Sequence, residues 1–324
     1  MLLVILSGMI LIVLSADYFT NGIEWLGKAL ALDASAVGTL MAALGTALPE
    51  TLVPVIALVS GAGGAAAVGL GAILGAPFML ATLGFLVLGV SLAWPGWPRR
   101  PPTARPDAVT RDLSFFLAVF GAALLGGWLP APVKVYWAGG LVVAYLLFAR
   151  AVLRSGRQSP ADAPTTPLHL SRQMPPALWV VVGQVAMALA GLVVGAHYFV
   201  TALEALARQS GWSGFLLSVI LTPVATELPE VLNSVIWIRR GADTLAFGNV
   251  TGAMAFQASL VPALGMWLMP WRFNPLEGAV GVLALAAALF VYVSVRRRGV
   301  SPRDLVGAGA FYFLFVGVAL AGVR

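Results

Sequence analysis

Gly45-Thr46-Ala47-Leu48-Pro49-Glu50 and Ala225-Thr226-Glu227-Leu228-Pro229-Glu230 are two copies of one motif, and a shift of 180 residues lays the first on the second. The same shift, without a gap, places Tyr18-Phe19 on Tyr198-Phe199, Glu24 on Glu204, Leu26 on Leu206 and Lys28 on Arg208. Matches held in register over that span indicate an internal duplication. Each copy ends in a glutamate, and the surroundings of that glutamate decide the fold.

Those surroundings are apolar. Of the 324 residues, 60% are hydrophobic and only 10% charged, and the mean hydropathy is +0.94. Ten apolar segments run approximately over 2–25, 35–59, 64–92, 112–128, 133–150, 177–200, 213–238, 244–268, 276–295 and 304–322. Most match the roughly 20 residues of helix that cross a hydrocarbon layer. They do not alternate as barrel strands do, so each satisfies its backbone as a helix. The expected fold is an all-α polytopic membrane protein with ten transmembrane helices. No cysteine is available for disulfides or thiolate sites. The first segment has no basic leader or clear small-residue cleavage site, and is read as a retained helix.

Polar, Pro/Arg-rich stretches occupy 94–111 and 151–176. The second divides the chain into a five-helix repeat over 1–150, a cytoplasmic linker over 151–176, and a second five-helix repeat over 177–324. Motif regions lie at about 35–82 and about 213–260. With the N-terminus outside, 15 of the 19 lysines and arginines fall on the inner side, and Lys134, Arg208, Arg272 and Arg324 on the outer side. That asymmetry supports ten spans with both termini outside. Odd-numbered halves insert in opposite orientation, which gives the inverted repeats of many secondary transporters, with an ion site at the repeat interface. The positive charge and the pI near 10.2 belong to this topology and not to nucleic-acid binding.

Glu50 and Glu230 lie deep in segments two and seven. A charge at that depth costs about 2.5–3.5 kcal/mol on insertion scales and marks an ion or proton pathway. No lysine or arginine sits in a segment interior to neutralise them. Pro49 and Pro229 lack the N–H that would bond Gly45 and Ala225, and Pro223 frees Val219 in the same way. The expectation is a locally unwound helix offering the carbonyls of Gly45 and Ala225 and the hydroxyls of Thr46 and Thr226 beside each carboxylate. Hard cations such as Na⁺ and Ca²⁺ take such oxygen ligands. Segment three carries Gly71-Ala72-Ile73-Leu74-Gly75-Ala76, and segment eight Gly248-Asn249-Val250-Thr251-Gly252-Ala253. The glycine spacing suits close helix packing. Asn249, Thr251 and Gln257 are either further oxygen ligands or interhelical hydrogen-bond partners. Asp17 and His197, at equivalent repeat positions, are either polar helix ends or part of an ion vestibule.

Together these motifs resemble the α-repeats of the sodium/calcium exchanger (cation/Ca²⁺ antiporter) superfamily, whose pattern is G-T-S-L-P-E followed by G-N-x-x-G-S-N. The resemblance covers the whole chain. It implies alternating access, with helices one and six sliding over a fixed core, and cations bound between helices two, three, seven and eight by Glu50 and Glu230. The chain departs from the pattern at Ala47 and Glu227, at Ala72, Ala76 and Leu80, and at Ala253 and Gln257. The first repeat thus keeps little beyond Glu50 and Thr46, and Glu227 supplies the charge that Gln257 lacks. Three neighbouring carboxylates cannot all be ionised without a bound cation.

The expected function is antiport of Ca²⁺ or a related cation against Na⁺. H⁺-coupled exchange and a degenerate, non-transporting relative are the alternatives. An enzyme is not expected: there is no H-E-x-x-H motif or nucleotide-binding loop, and His169 and His197 are not placed as a metal pair. No cofactor is implied beyond the transported Ca²⁺ and Na⁺ or H⁺. The partners are those cations and the lipid bilayer; oligomeric state stays open, a monomer included. A prokaryotic inner membrane is the expected location.

Overall fold

The apolar runs fold as helices. The computed structural model describes residues 2–29, 42–59, 64–94, 102–156, 166–171, 176–239, 241 and 243–322. The first half contains α1 (Leu2–Ala29), α2 (Ala42–Val59), α3 (Ala65–Met79), a π-helical turn (Leu80–Gly84), α4 (Phe85–Ala93), α5 (Pro106–Leu125), a 3₁₀ turn (Gly126–Trp128) and α6 (Ala131–Gly156). The second contains α7 (Leu178–Ser210), α8 (Gly214–Arg239), α9 (Asp243–Gln257), α10 (Leu260–Leu268), α11 (Pro275–Arg298) and α12 (Pro302–Gly322). No strand occurs among the described residues.

Seven of the described helical stretches are long and apolar enough to cross a membrane. The count of ten spans therefore continues to rest on the charge alternation. Helix ends follow local chemistry. α5 starts at Pro106, earlier than expected, with proline at its first position and Asp107 in its first turn. α11 opens on a capping box between Asn274 and Glu277 and ends in Arg296, Arg297 and Arg298. α7 closes at Gly211, whose φ of 73° suits the short turn into α8.

Two packing cores organise the bundle. The larger joins α3, α4 and α5 to α8, α9, α11 and α12 through Phe78, Phe85, Phe116, Phe120, Phe247 and Phe315. The smaller lies between the α1–α7 pair and the inner helices, through Ile12, Phe19, Val53, Val68, Leu192 and Phe199. On α1, Leu3, Leu6, Ile10 and Leu14 are exposed at helical spacing, as a lipid-facing stripe requires.

The prolines do not unwind the helices, contrary to expectation. α2 runs unbroken through Pro49 and Pro54, and α8 through Pro223 and Pro229. A single missing N–H removes one bond, and close neighbours hold the helix in shape. In α8 that neighbour is α3. A Cβ on Gly71 would stand 2.6 Å from the Phe215 carbonyl, and one on Gly75 would stand 3.0 Å from the Val219 carbonyl that Pro223 frees. The irregularities sit elsewhere, at equivalent places in the repeats. Leu80 begins the π turn, and Gln257 ends α9 before the break at Ala258-Ser259. Segment eight is thus two helices and not one.

Candidate cation site

α2 presents Glu50, and α8, three residues apart on one face, presents Glu227 and Glu230. Their relative exposures are 4%, 0% and 1%. One carboxylate oxygen from each lies within 4.8 Å of the others. Oxygens on opposite sides of a calcium ion stand about 4.6–5.2 Å apart, so one such ion spans the cluster. Gln257, at the end of α9, donates from Nε2 to Glu227 Oε1 at 2.8 Å. Both oxygens of Glu50, Oε2 of Glu227 and Oε1 of Gln257 have no hydrogen-bond donor among the described residues. Buried acceptors without donors are costly, and a cation held between the three carboxylates offsets that cost. The described residues place no lysine or arginine in an ion pair with Glu50 or Glu227.

The remaining candidates divide. Thr226 is buried, and its hydroxyl reaches the Thr222 carbonyl at 3.3 Å and Glu227 Oε1 at 3.5 Å. Asn249 Nδ2 donates to the Glu230 carbonyl at 3.0 Å and to Ser234 Oγ at 3.2 Å. Its amide nitrogen therefore fixes the α8 backbone that carries Glu230. Thr251 turns away from the cluster: its hydroxyl bonds Asp112 Oδ2 at 2.8 Å and the Phe247 carbonyl. It is an interhelical tie and not a ligand. Gly45 lies within α2 and Ala225 within α8. The Thr46 side chain, like those of Ala225, Leu228 and Pro229, lies outside the described residues. On the first-repeat side, Ala72, Ala76 and Leu80 are buried and bring no oxygen. Asp17 pairs with His169 at 2.8 Å, and His197 is exposed, so neither joins the carboxylates.

Sequence reasoning missed Asp112, which anchors α9 to α5 through Thr251 while held by Arg111 at 2.8 Å. An acid beside an arginine near an apolar segment was its only signal. It also missed Ser234, which nothing in the sequence marks. Lys134, only 6% exposed, bonds the carbonyls of Trp271 and Gly127 and so stitches helix ends together away from the acids.

Residues 1–154 and 180–321 match the family model described as sodium/calcium exchanger protein. The inner membrane protein YrbG of Escherichia coli (strain K12) is 26% identical over 315 residues, covering 94% of this chain and 91% of that protein. Among solved structures, the H⁺/Ca²⁺ exchanger CAX aligns with a TM-score of 0.75 and 18% identity over 98% of this chain and 81% of that one. The sodium-calcium exchanger NCX_Mj aligns with a TM-score of 0.62 and 20% identity over 98% and 99%. These likenesses show the fold.

Proposed function

We propose, starting from the fact that this chain belongs to the sodium/calcium exchanger protein family, that it exchanges Ca²⁺ or a related cation against Na⁺ across the membrane by alternating access. The observation that carries the proposal is the meeting of Glu50 with Glu227 and Glu230 within 4.8 Å. An acid from the first repeat and two from the second form one oxygen cage at the repeat interface. The cage fits a hard divalent cation by ligand type, charge and span. With α1 and α7 sharing a core on one side of the inner helices, the pair is suited to slide while the cage stays fixed. The inner membrane is the proposed location, in keeping with the name of the YrbG relative, and the positive-inside rule puts both termini outside.

A second reading, H⁺ as the coupling ion, is favoured by a specific feature. Separate Na⁺ sites need neutral oxygens, and the first repeat offers buried Ala72, Ala76 and Leu80 instead. A third carboxylate, Glu227, can trade protons for a divalent cation without such sites. Uptake of radioactive calcium into proteoliposomes under an imposed Na⁺ gradient, and separately under a pH gradient, tests both. Uptake driven by Na⁺ supports the first reading, and uptake driven only by pH reassigns the coupling ion. No uptake under either overturns the proposal.

A further inference from the structure

α1 and α7 meet on glycine. A Cβ on Gly8 would stand 3.1 Å from Phe199 Cβ, one on Gly195 3.1 Å from Ile12 Cγ1, and one on Gly22 2.9 Å from Val185 Cγ2. A seam of glycine and aliphatic carbon is close but smooth. Such a seam lets the two helices approach closely. The seam also carries polar groups, Ser15 opposite Gly191 and an amide that bonds across it. Gln184 of α7, 0% exposed, donates from Nε2 to the Tyr18 carbonyl at 2.8 Å and to Asn21 Oδ1 at 2.9 Å.

The linker completes this arrangement. Leu170 N–H donates to Gln184 Oε1 at 2.9 Å, and His169 N–H donates to Asn21 Oδ1 at 3.0 Å. Asn21 Nδ2 donates to Thr166 Oγ1 at 3.0 Å and to the Pro167 carbonyl at 3.2 Å. Trp25 Nε1 donates to the Thr166 carbonyl, Leu168 packs with Trp25 and Val181, and the His169 ring pairs with Asp17. Both amides thereby use both donors and their acceptor. A slip of α1 against α7 by one turn, about 5.4 Å, would strand them, leaving buried donors and acceptors without partners. Among the described residues the arrangement occurs at one end of the pair. The repeat shift places Gln184 on Val4 and Asn21 on Thr201, and Thr201 bonds back to the His197 carbonyl of its own helix.

We propose that Asn21 and Gln184, capped by linker residues Thr166–Leu170, form a register lock that makes α1 and α7 one moving body, with Thr166–Leu170 part of it. They are positioning residues for exchange and act through the two helices. The proposal rests on the alternating-access reading above. Buried amides specify register in helix pairs generally, and here a register error would separate the two halves of the sliding unit.

The chain has no cysteine, so paired cysteines report cleanly. A Cβ on Gly191 would stand 3.2 Å from Ser15 Cβ, close to the separation a disulfide bridges. Gln184→Leu should lower calcium turnover about tenfold and leave the half-saturating concentration within about twofold. Oxidising the Ser15→Cys/Gly191→Cys pair should leave exchange intact in the otherwise native chain and restore it in the Gln184→Leu chain. Arrest of exchange by that bridge in the native background would overturn the proposal, and so would native turnover in Gln184→Leu. A second measurement needs no flux: Leu11→Cys/Gly191→Cys, one turn out of register, should bridge poorly in the native chain and readily once Gln184→Leu is added. Equal bridging in the two backgrounds would sink the lock even if the chain carried no calcium, whereas absent flux alone would sink only the exchanger reading.

Discussion

At the scale of single residues, Glu50, Glu227 and Glu230 perform different parts of one task. Glu227 is held by Gln257 at 2.8 Å, Glu230 stands on backbone fixed by Asn249 at 3.0 Å, and Glu50 arrives from the other repeat. With a divalent cation in the cage each carboxylate is one partner of a buried pair of opposite charges, and removing one such partner costs about 3–5 kcal/mol. Glu50→Gln or Glu230→Gln is therefore expected to weaken calcium binding by at least about 100-fold, read by calorimetry on detergent-purified protein of unchanged helical content. Glu227→Gln keeps an oxygen but loses a titratable group. At saturating calcium, Na⁺-driven uptake should survive it within about tenfold, whereas pH-driven uptake should vanish if Glu227 exchanges the proton. These acids were legible in the sequence because burial makes a carboxylate conspicuous and the repeat made it doubly so. Asp112, Ser234 and the Gln257–Glu227 bond were not, since the sequence does not show which partner a polar side chain meets across two helices.

At the scale of the helix, the central contact is α3 on α8. A valine at Gly71 would drive its Cβ to 2.6 Å from a backbone carbonyl, which cannot move aside as a flexible side chain would. Gly71→Val should cost about 1–3 kcal/mol and appear as a lowered unfolding temperature in detergent. Gly139→Ala, where an added Cβ meets nothing within 4 Å, should leave stability unchanged or raise it by up to about 1 kcal/mol. The helices themselves were readable from hydrophobic run length, and their ends moved outward because Pro106 and the basic residues of the last turns continue a helix that the apolar run no longer signals. The prolines misled: Pro49 and Pro229 remove hydrogen bonds, but the unbroken α2 and α8 place the irregular backbone instead at Leu80 and after Gln257. Proline reports a missing donor, and the packing around it decides whether the helix opens.

At the scale of the molecule, an inner set of helices carries the carboxylate cage, and a glycine-faced pair, α1 and α7, lies beside it. The duplication in the sequence anticipated the cage. It did not anticipate the linker bound across that pair, because the amides of Asn21 and Gln184 lie 163 residues apart and correspond to nothing in the other copy. Asymmetry of this kind is invisible to a repeat comparison and apparent once the chain is folded. The central claim, that acids from both repeats form one cation cage serving antiport, is tested most directly by radioactive-calcium uptake into proteoliposomes containing the native chain, side by side with Glu230→Gln. The account predicts gradient-driven accumulation in the native chain, under Na⁺ or pH, and background uptake with Glu230→Gln. Equal uptake by the two proteins, or none by the native chain under either gradient, would contradict it.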